Sequence, residues 1–243
     1  MNFKESKAIY LQIADYLIKP VNPAQILLTL KKNIHKKEIV SQVAQSSYQQ
    51  SFMNISMQID NARSLQEWMD VYKRLTLQEL QLSAADTGMM DMLRSQKEEA
   101  NNGFTKFVKK NYLNWVEETR PGGKGTDLVM SNNLMAKKIF PLLDNGEKVF
   151  LIVIDNFRYD QWRALAEDIA DGFDVDEQLY TTILPTATQY ARNAIFSGLM
   201  PDQIARMFPD LWVDEDEEEG KNLNEAPLIQ TILDRYRRKN TFS

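Results

Sequence analysis

The chain has 243 residues, 43% of them hydrophobic and 26% charged, with a formal net charge of −5, no cysteine and one histidine, His35. That length supports one large domain or two small ones with a sizeable core, and the composition is that of an ordinary soluble globular protein. The missing cysteines exclude disulfides, thiol catalysis and thiolate zinc sites; the acidic balance gives no bulk electrostatic case for nucleic-acid binding; and a mechanism needing two imidazoles cannot be completed from these residues alone. No apolar run reaches the roughly 18 residues of a membrane span, and the amino-terminal residues Met1 to Lys7 lack the apolar centre of a signal peptide, so a cytoplasmic location is expected.

Lys7 to Ile13 reads as helical and Asp15 to Ile18 as a short strand. Lys19-Pro20 follows, and then a helix from Pro23 to Lys37 with Ile26, Leu27, Leu30 and Ile34 on one stripe. A lone β-α unit of this size cannot bury its own faces, so it is expected to pack on something else or to be the end of a larger domain. From Glu38 to Thr119 the texture is helical throughout and free of proline. Ile55, Ile59 and Ala62 continue one amphipathic stripe. Ser64 and Glu67 match a capping box, so a second helix is expected from Leu65 with Trp68, Tyr72, Leu75 and Leu80. A third is expected from Asp86 through Asn101-Asn102-Gly103 to Trp115 and Val116. The cluster Met89, Met90, Met92 is read as core filling in preference to an adaptable binding surface.

Arg120-Pro121-Gly122-Gly123-Lys124-Gly125 punctuates the chain. It lacks the Gly-Lys-Ser/Thr of a phosphate loop and no strand feeds it, so it reads as a linker. Thr126 or Asp127 then offers a cap for a helix through Lys138.

Lys148 to Asp155 is a continuous apolar run, Val149 to Ile154, ending in a carboxylate. It reads as a strand buried on both faces of a parallel sheet, and Asp155 falls at the carboxyl end, where open α/β sheets bind ligands. Asn156-Phe157-Arg158 turns into a helix from Tyr159 to Ile169, with Asp160 favouring its amino terminus. Gln178 to Ile183 is a second strand candidate, and Pro185-Thr186-Ala187-Thr188 opens another helix. A carboxylate over a helix amino terminus suits a divalent cation, and a threonine at a helix start has an ordinary role as a cap. The run Asp214 to Glu219 reads as a solvated acidic loop, and Leu223 to Ile229 opens a last helix reaching Arg238.

Two resemblances attach to these patterns. Ala14-Asp15-Tyr16-Leu17-Ile18-Lys19-Pro20 resembles the fifth strand of two-component receiver domains. The resemblance implies that Lys19 contacts the phosphorylated aspartate, that Pro20 follows a commonly cis bond and that Tyr16 reports the activation state. The acidic pair, phosphoacceptor and switch hydroxyl of that family have no counterpart here, so this chain is not expected to accept phosphate. Asp155-Asn156-Phe157-Arg158-Tyr159-Asp160 followed by Pro185-Thr186-Ala187-Thr188 resembles the PglZ branch of the alkaline phosphatase superfamily. That likeness implies two zinc ions, Asp155 as a metal ligand, and Thr188 as a metal-bound nucleophile with Thr186 as the competing choice. Arg158, and Arg192 or Asn193, would hold phosphoryl oxygens.

Receiver, helical bundle and PglZ region in this order resemble the PorX-like response regulators of Bacteroidetes. The expected architecture is α/β with a helical bundle: a truncated receiver β-α unit over 1–37, a helical linker over 38–119, and the first half of an α/β/α PglZ domain with a mostly parallel sheet over 120–243. The resemblance implies a zinc-dependent phosphodiesterase or phosphatase acting on phosphodiesters or nucleotides. It implies as partners a histidine kinase and a sigma factor or components of type IX secretion and gliding, and a homodimeric parent. The later Asp-His pair and His that complete the family's metal site are not found, so the chain is expected to be an interior fragment without catalysis of its own. The alternative is a non-catalytic output module that binds other proteins.

Overall fold

The computed structural model describes residues 26–27, 29–31, 50–82, 87–212 and 223–239. Tyr16, Lys19, Pro20, His35 and the acidic run Asp214 to Glu219 lie outside the described residues. In the expected helix over residues 23–37, residues 26–27 and 29–31 are helical, with Ile26, Leu27 and Leu30 exposed. The chain divides into two compact units, Met1–Ala100 and Asn101–Ser243.

In the first unit, α1 covers residues 50–61 and α2 Leu65–Gln81, and α3, Thr87–Thr119, begins. Glu67 N donates to Ser64 Oγ at 3.3 Å, and Ser64 N donates to Glu67 Oε2 at 2.8 Å. Two orphan donors of the first turn are thereby satisfied, which is why α2 starts at Leu65. Ile55, Ile59, Ala62, Trp68, Val71, Leu75 and Leu93 are buried. Tyr72 and Leu80, expected on the core stripe of α2, are exposed; the inward stripe runs through Trp68, Val71 and Leu75 instead. Gln96, 2% exposed, sends Nε2 to the Phe52 carbonyl and to Ser56 Oγ, both at 2.9 Å, tying α3 to α1.

In the second unit, α3 ends at Thr119 and the chain turns through Gly122 and Gly125, whose positive φ values of 84° and 78° are easily reached only by glycine. No helix starts at Thr126 or Asp127. Thr126 Oγ1 instead accepts from Leu128 N at 3.3 Å, and the chain runs extended into Met130. A 3-10 turn, Ser131–Asn133, a π-helical turn, Met135–Ile139, and α4, Phe140–Asp144, follow. The helices α5, Tyr159–Ala170, α6, Thr188–Ser197, α7, Pro201–Met207, and α8, Glu225–Arg235, complete the unit.

The expected parallel sheet is not found among the described residues. Among the described residues 68% are helical and none lies in a strand. Two extended stretches meet only at one isolated parallel bridge between Met130 and Thr181, where Thr181 N donates to the Val129 carbonyl at 3.1 Å. The run from Val149 to Ile154 has no ladder bond among the described residues, and Phe150 and Ile152 are 91% and 80% exposed. A strand apolar on both faces is stable only with neighbours on both edges and layers above and below. Among the described residues no such neighbours flank 149–154, so the pattern of a buried strand is present there without its structure.

The core of this unit is built on α6. Ala191 and Ala194 pack with Met130, Ile183 and Met200, flanked by Tyr112, Trp115 and Tyr190. On another side, Phe196, Leu199, Ile204 and Leu228 form a second cluster. Gly198 ends α6 in the left-handed region at φ 64°, and a Cβ there would lie 2.5 Å from Ile232 Cδ1, so α8 crosses the end of α6 at a distance only glycine permits.

Candidate functional site

Asp155 closes the apolar run and begins a tight turn in which Asn156 has φ 54°. Asp155 Oδ1 accepts from Asn156 N at 2.9 Å, which fixes the carboxylate over its own turn. Its other oxygen, Oδ2, faces Arg192 Nη1 at 3.3 Å. Arg192 lies on α6, one helical turn after Thr188, so the same face of that helix carries both residues. Its Nη2 contacts Glu225 Oε1, in the first turn of α8, at 2.9 Å. One guanidinium thus joins the Asp155 turn, α6 and the start of α8.

Thr188 is the first residue of α6 and is half-buried; Thr186 is exposed. The cap residue is Ala187, which has no side chain able to bond the first-turn N–H groups. The approach to this turn is set from α3: Tyr112 Oη accepts from Leu184 N at 2.6 Å and donates to the Leu184 carbonyl at 3.3 Å. Ser131 Oγ accepts from Ile183 N at 3.2 Å.

The remaining expected phosphate ligands are placed differently. Arg158 grips Asp160 through Nε at 2.9 Å and Nη2 at 2.6 Å, and this fork holds the Asp160 carboxyl below the usual carboxylate range. Asn193 is 1% exposed, inside the core, and neither its Oδ1 nor its Nδ2 has a hydrogen-bond partner among the described residues. The structure therefore brings Asp155 and Arg192 together, holds Arg158 on Asp160 and buries Asn193. Sequence reasoning missed two contributors. The local signal at Glu225 is only that of an acidic residue opening a helix, and Tyr112 sits in a long helix with nothing local to mark its bonds to Leu184.

The Asp155 carboxylate is a donor type that suits a divalent cation, but one such donor does not make a site. Among the described residues no three His, Cys, Asp or Glu side chains converge, whereas a stable protein metal site uses at least three protein ligands. Asp155 is met instead by a guanidinium.

Among the described residues no helix is long and apolar enough to cross a membrane. A search of curated proteins finds no match to the chain. Two family models do match, and between them they cover most of it. Residues 38–116 match the PorX response regulator linker domain, and residues 134–242 match the BREX system PglZ alkaline phosphatase-like domain. The chain is therefore PorX-like, a response regulator with a PorX linker followed by a PglZ alkaline phosphatase-like output region.

Proposed function

We propose that the output region serves phosphoryl chemistry, hydrolysing a phosphodiester or nucleotide in response to two-component signalling. The observation that carries the reading is the joining of Asp155 to α6 through Arg192, which sets the acidic turn against the helix that begins at Thr188. An alkaline phosphatase-like region implies metal dependence in general. Zinc is the proposed metal and Asp155 one of its ligands. In this reading Thr188, with Thr186 as the alternative, is the nucleophile. A threonine hydroxyl is a weak nucleophile near neutral pH and needs a base or metal to take its proton. The N–H groups of Thr188 and Gln189, for which Ala187 offers no side-chain cap, favour negative charge arriving beside Thr188. Arg158, Arg192 and Asn193 are the proposed contacts for phosphoryl oxygens. In the present arrangement the first two would first have to release carboxylates, and Asn193 would have to reach out of the core. The proposed organisation is a receiver remnant over 1–37 with Lys19, Pro20 and Tyr16 in its signalling roles, a helical linker over 38–119 and the output region over 120–243. Cytoplasmic signalling with a histidine kinase and with type IX secretion components belongs to the same proposal.

Hydrolysis of bis(p-nitrophenyl) phosphate by the full product of the coding gene, with zinc or manganese added, tests this. Loss of turnover in Thr188→Val with retention in Thr186→Val supports it. Undiminished turnover in the double variant, or after metal stripping, overturns it. The exposed run around Phe150 and Ile152 favours a second reading, a protein-interaction output module. That version predicts equal partner capture by wild type and Asp155→Ala with no turnover of any phosphodiester.

A further inference from the structure

The dipeptide Asn-Gly occurs twice in the chain, at Asn102-Gly103 and at Asn145-Gly146. An asparagine amide carbon is open to attack by the next backbone nitrogen when that residue is glycine, because no Cβ crowds the approach. Both asparagines are exposed, so access to water does not separate them. Their backbones do. Asn102 lies near the middle of α3, Thr87–Thr119, with helix on both sides. Asn145 follows α4, which has only five residues, and Gly146 stands beyond it at φ 81°. Gly146 N donates to the Leu143 carbonyl at 3.0 Å and Glu147 N to the Leu142 carbonyl at 3.1 Å, the paired bonds of a helix end closed by glycine. Attack requires the Asn145 ψ, now −1°, to rotate until Gly146 N faces Cγ, and that rotation releases both bonds. In an exposed terminal turn such an opening is local. At Asn102 it has to break the helix on both sides, which is far less frequent.

We propose that Asn145 is a site of spontaneous deamidation and that Asn102 is spared by its helix. Gly146 N gives its proton to solvent base and bonds to Asn145 Cγ; the bond from Cγ to Nδ2 breaks, and ammonia leaves. Water then opens the resulting succinimide. Opening at the side-chain carbonyl leaves aspartate, and opening at the backbone carbonyl leaves isoaspartate. No oxidant or cofactor takes part. The isoaspartyl form routes the main chain through the side-chain carbons and lengthens it, so Gly146 N and Glu147 N no longer meet the Leu143 and Leu142 carbonyls. Either product sets a second carboxylate beside Asp144 at the carboxyl end of α4, where negative charge is unfavourable.

The test is incubation of the full chain at mildly alkaline pH, folded and in urea, followed by peptide mass mapping. In urea both asparagines should gain the mass of the exchange of amide for acid. In the folded chain Asn145 should react at least about tenfold faster than Asn102. A folded chain in which Asn145 stays intact while urea consumes it overturns the proposal, and equal rates at the two sites overturn the protection by α3. Hydrogen exchange tests the structural consequence: amides 146 and 147 should exchange faster in the isoaspartyl fraction and stay slow in Asn145→Asp, which carries the charge on an ordinary backbone. Unchanged exchange in the isoaspartyl fraction, or equally fast exchange in Asn145→Asp, overturns the attribution to the lengthened main chain.

Discussion

Tyr112, on α3, grips both backbone groups of Leu184 with one hydroxyl, accepting from its N–H at 2.6 Å and donating to its carbonyl at 3.3 Å. A residue far away in sequence thereby fixes the segment that delivers Thr186 and Thr188 to the start of α6. Tyr112→Phe removes both bonds while keeping the ring packed against the cluster of Met130, Ile183, Ala191, Ala194 and Met200. The expected cost is about 1 kcal/mol of stability, with faster amide exchange confined to residues 181–188. Urea unfolding and hydrogen exchange measure the two effects, and exchange unchanged over 181–188 would show that the ring alone holds the segment.

The close crossing of α8 over Gly198 makes a second test. Gly198→Ala meets both a left-handed φ of 64° and Ile232 Cδ1 at 2.5 Å. The strain and the overlap together should destabilise by about 1–3 kcal/mol. Combining it with Ile232→Val removes the overlapping methyl but not the backbone strain, so part of the loss should return. A double-mutant cycle reads the coupling between the two positions. Strict additivity would show that the backbone strain accounts for the whole effect.

Local signals were legible in the sequence and long-range ones were not. The capping box at Ser64 and Glu67 announced α2 because its bonds lie within one turn. The apolar run at Val149 to Ile154 announced a buried strand, yet a strand depends on neighbours that its own residues do not specify, and Phe150 is exposed. Thr126 looked like a helix cap, but the bridge of Met130 to Thr181 draws that stretch into extended backbone. At the candidate site, Asp155 and Arg192 were both singled out as chemistry-bearing residues. Their contact with each other was not visible, because a carboxylate and a guanidinium suit a ligand as well as one another and their pairing across two elements leaves no local pattern. Glu225 was missed for the same reason: an ion pair between distant helices leaves no spacing pattern.

Acid sensitivity follows from Asp144. Arg238 holds it with two bonds of 2.8 Å while resting over the Phe140 ring at 4.1 Å, and the Asp144 carboxyl lies below its ordinary value chiefly because of the hydrogen bonds from Arg238. A carboxyl lowered in the folded state contributes stability that is present above its unfolded pKa, about 3.9, and lost as pH falls through the lower folded value. Asp144→Asn should therefore reduce stability near pH 7 and flatten the acid limb of the stability curve. Because Asp144 is exposed, the effect should shrink in high salt. Thermal unfolding from pH 7 to pH 2 at low and high salt checks the sign. A variant that parallels wild type throughout would place the pair among surface contacts without consequence.

Gln96 offers the sharpest stability test in the first unit. The residue is 2% exposed and Nε2 bridges the Phe52 carbonyl and Ser56 Oγ, so the side chain is both a packing element and the polar tie between α1 and α3. Gln96→Ala removes buried volume as well as two hydrogen bonds and should cost about 2–4 kcal/mol. Gln96→Met keeps the volume, leaves Ser56 without this partner and should cost about 1–2 kcal/mol. If the two variants lose equal stability in urea, the hydrogen bonds carry the tie. If Met restores wild-type stability, the tie is packing, and Ser56→Ala should then be silent.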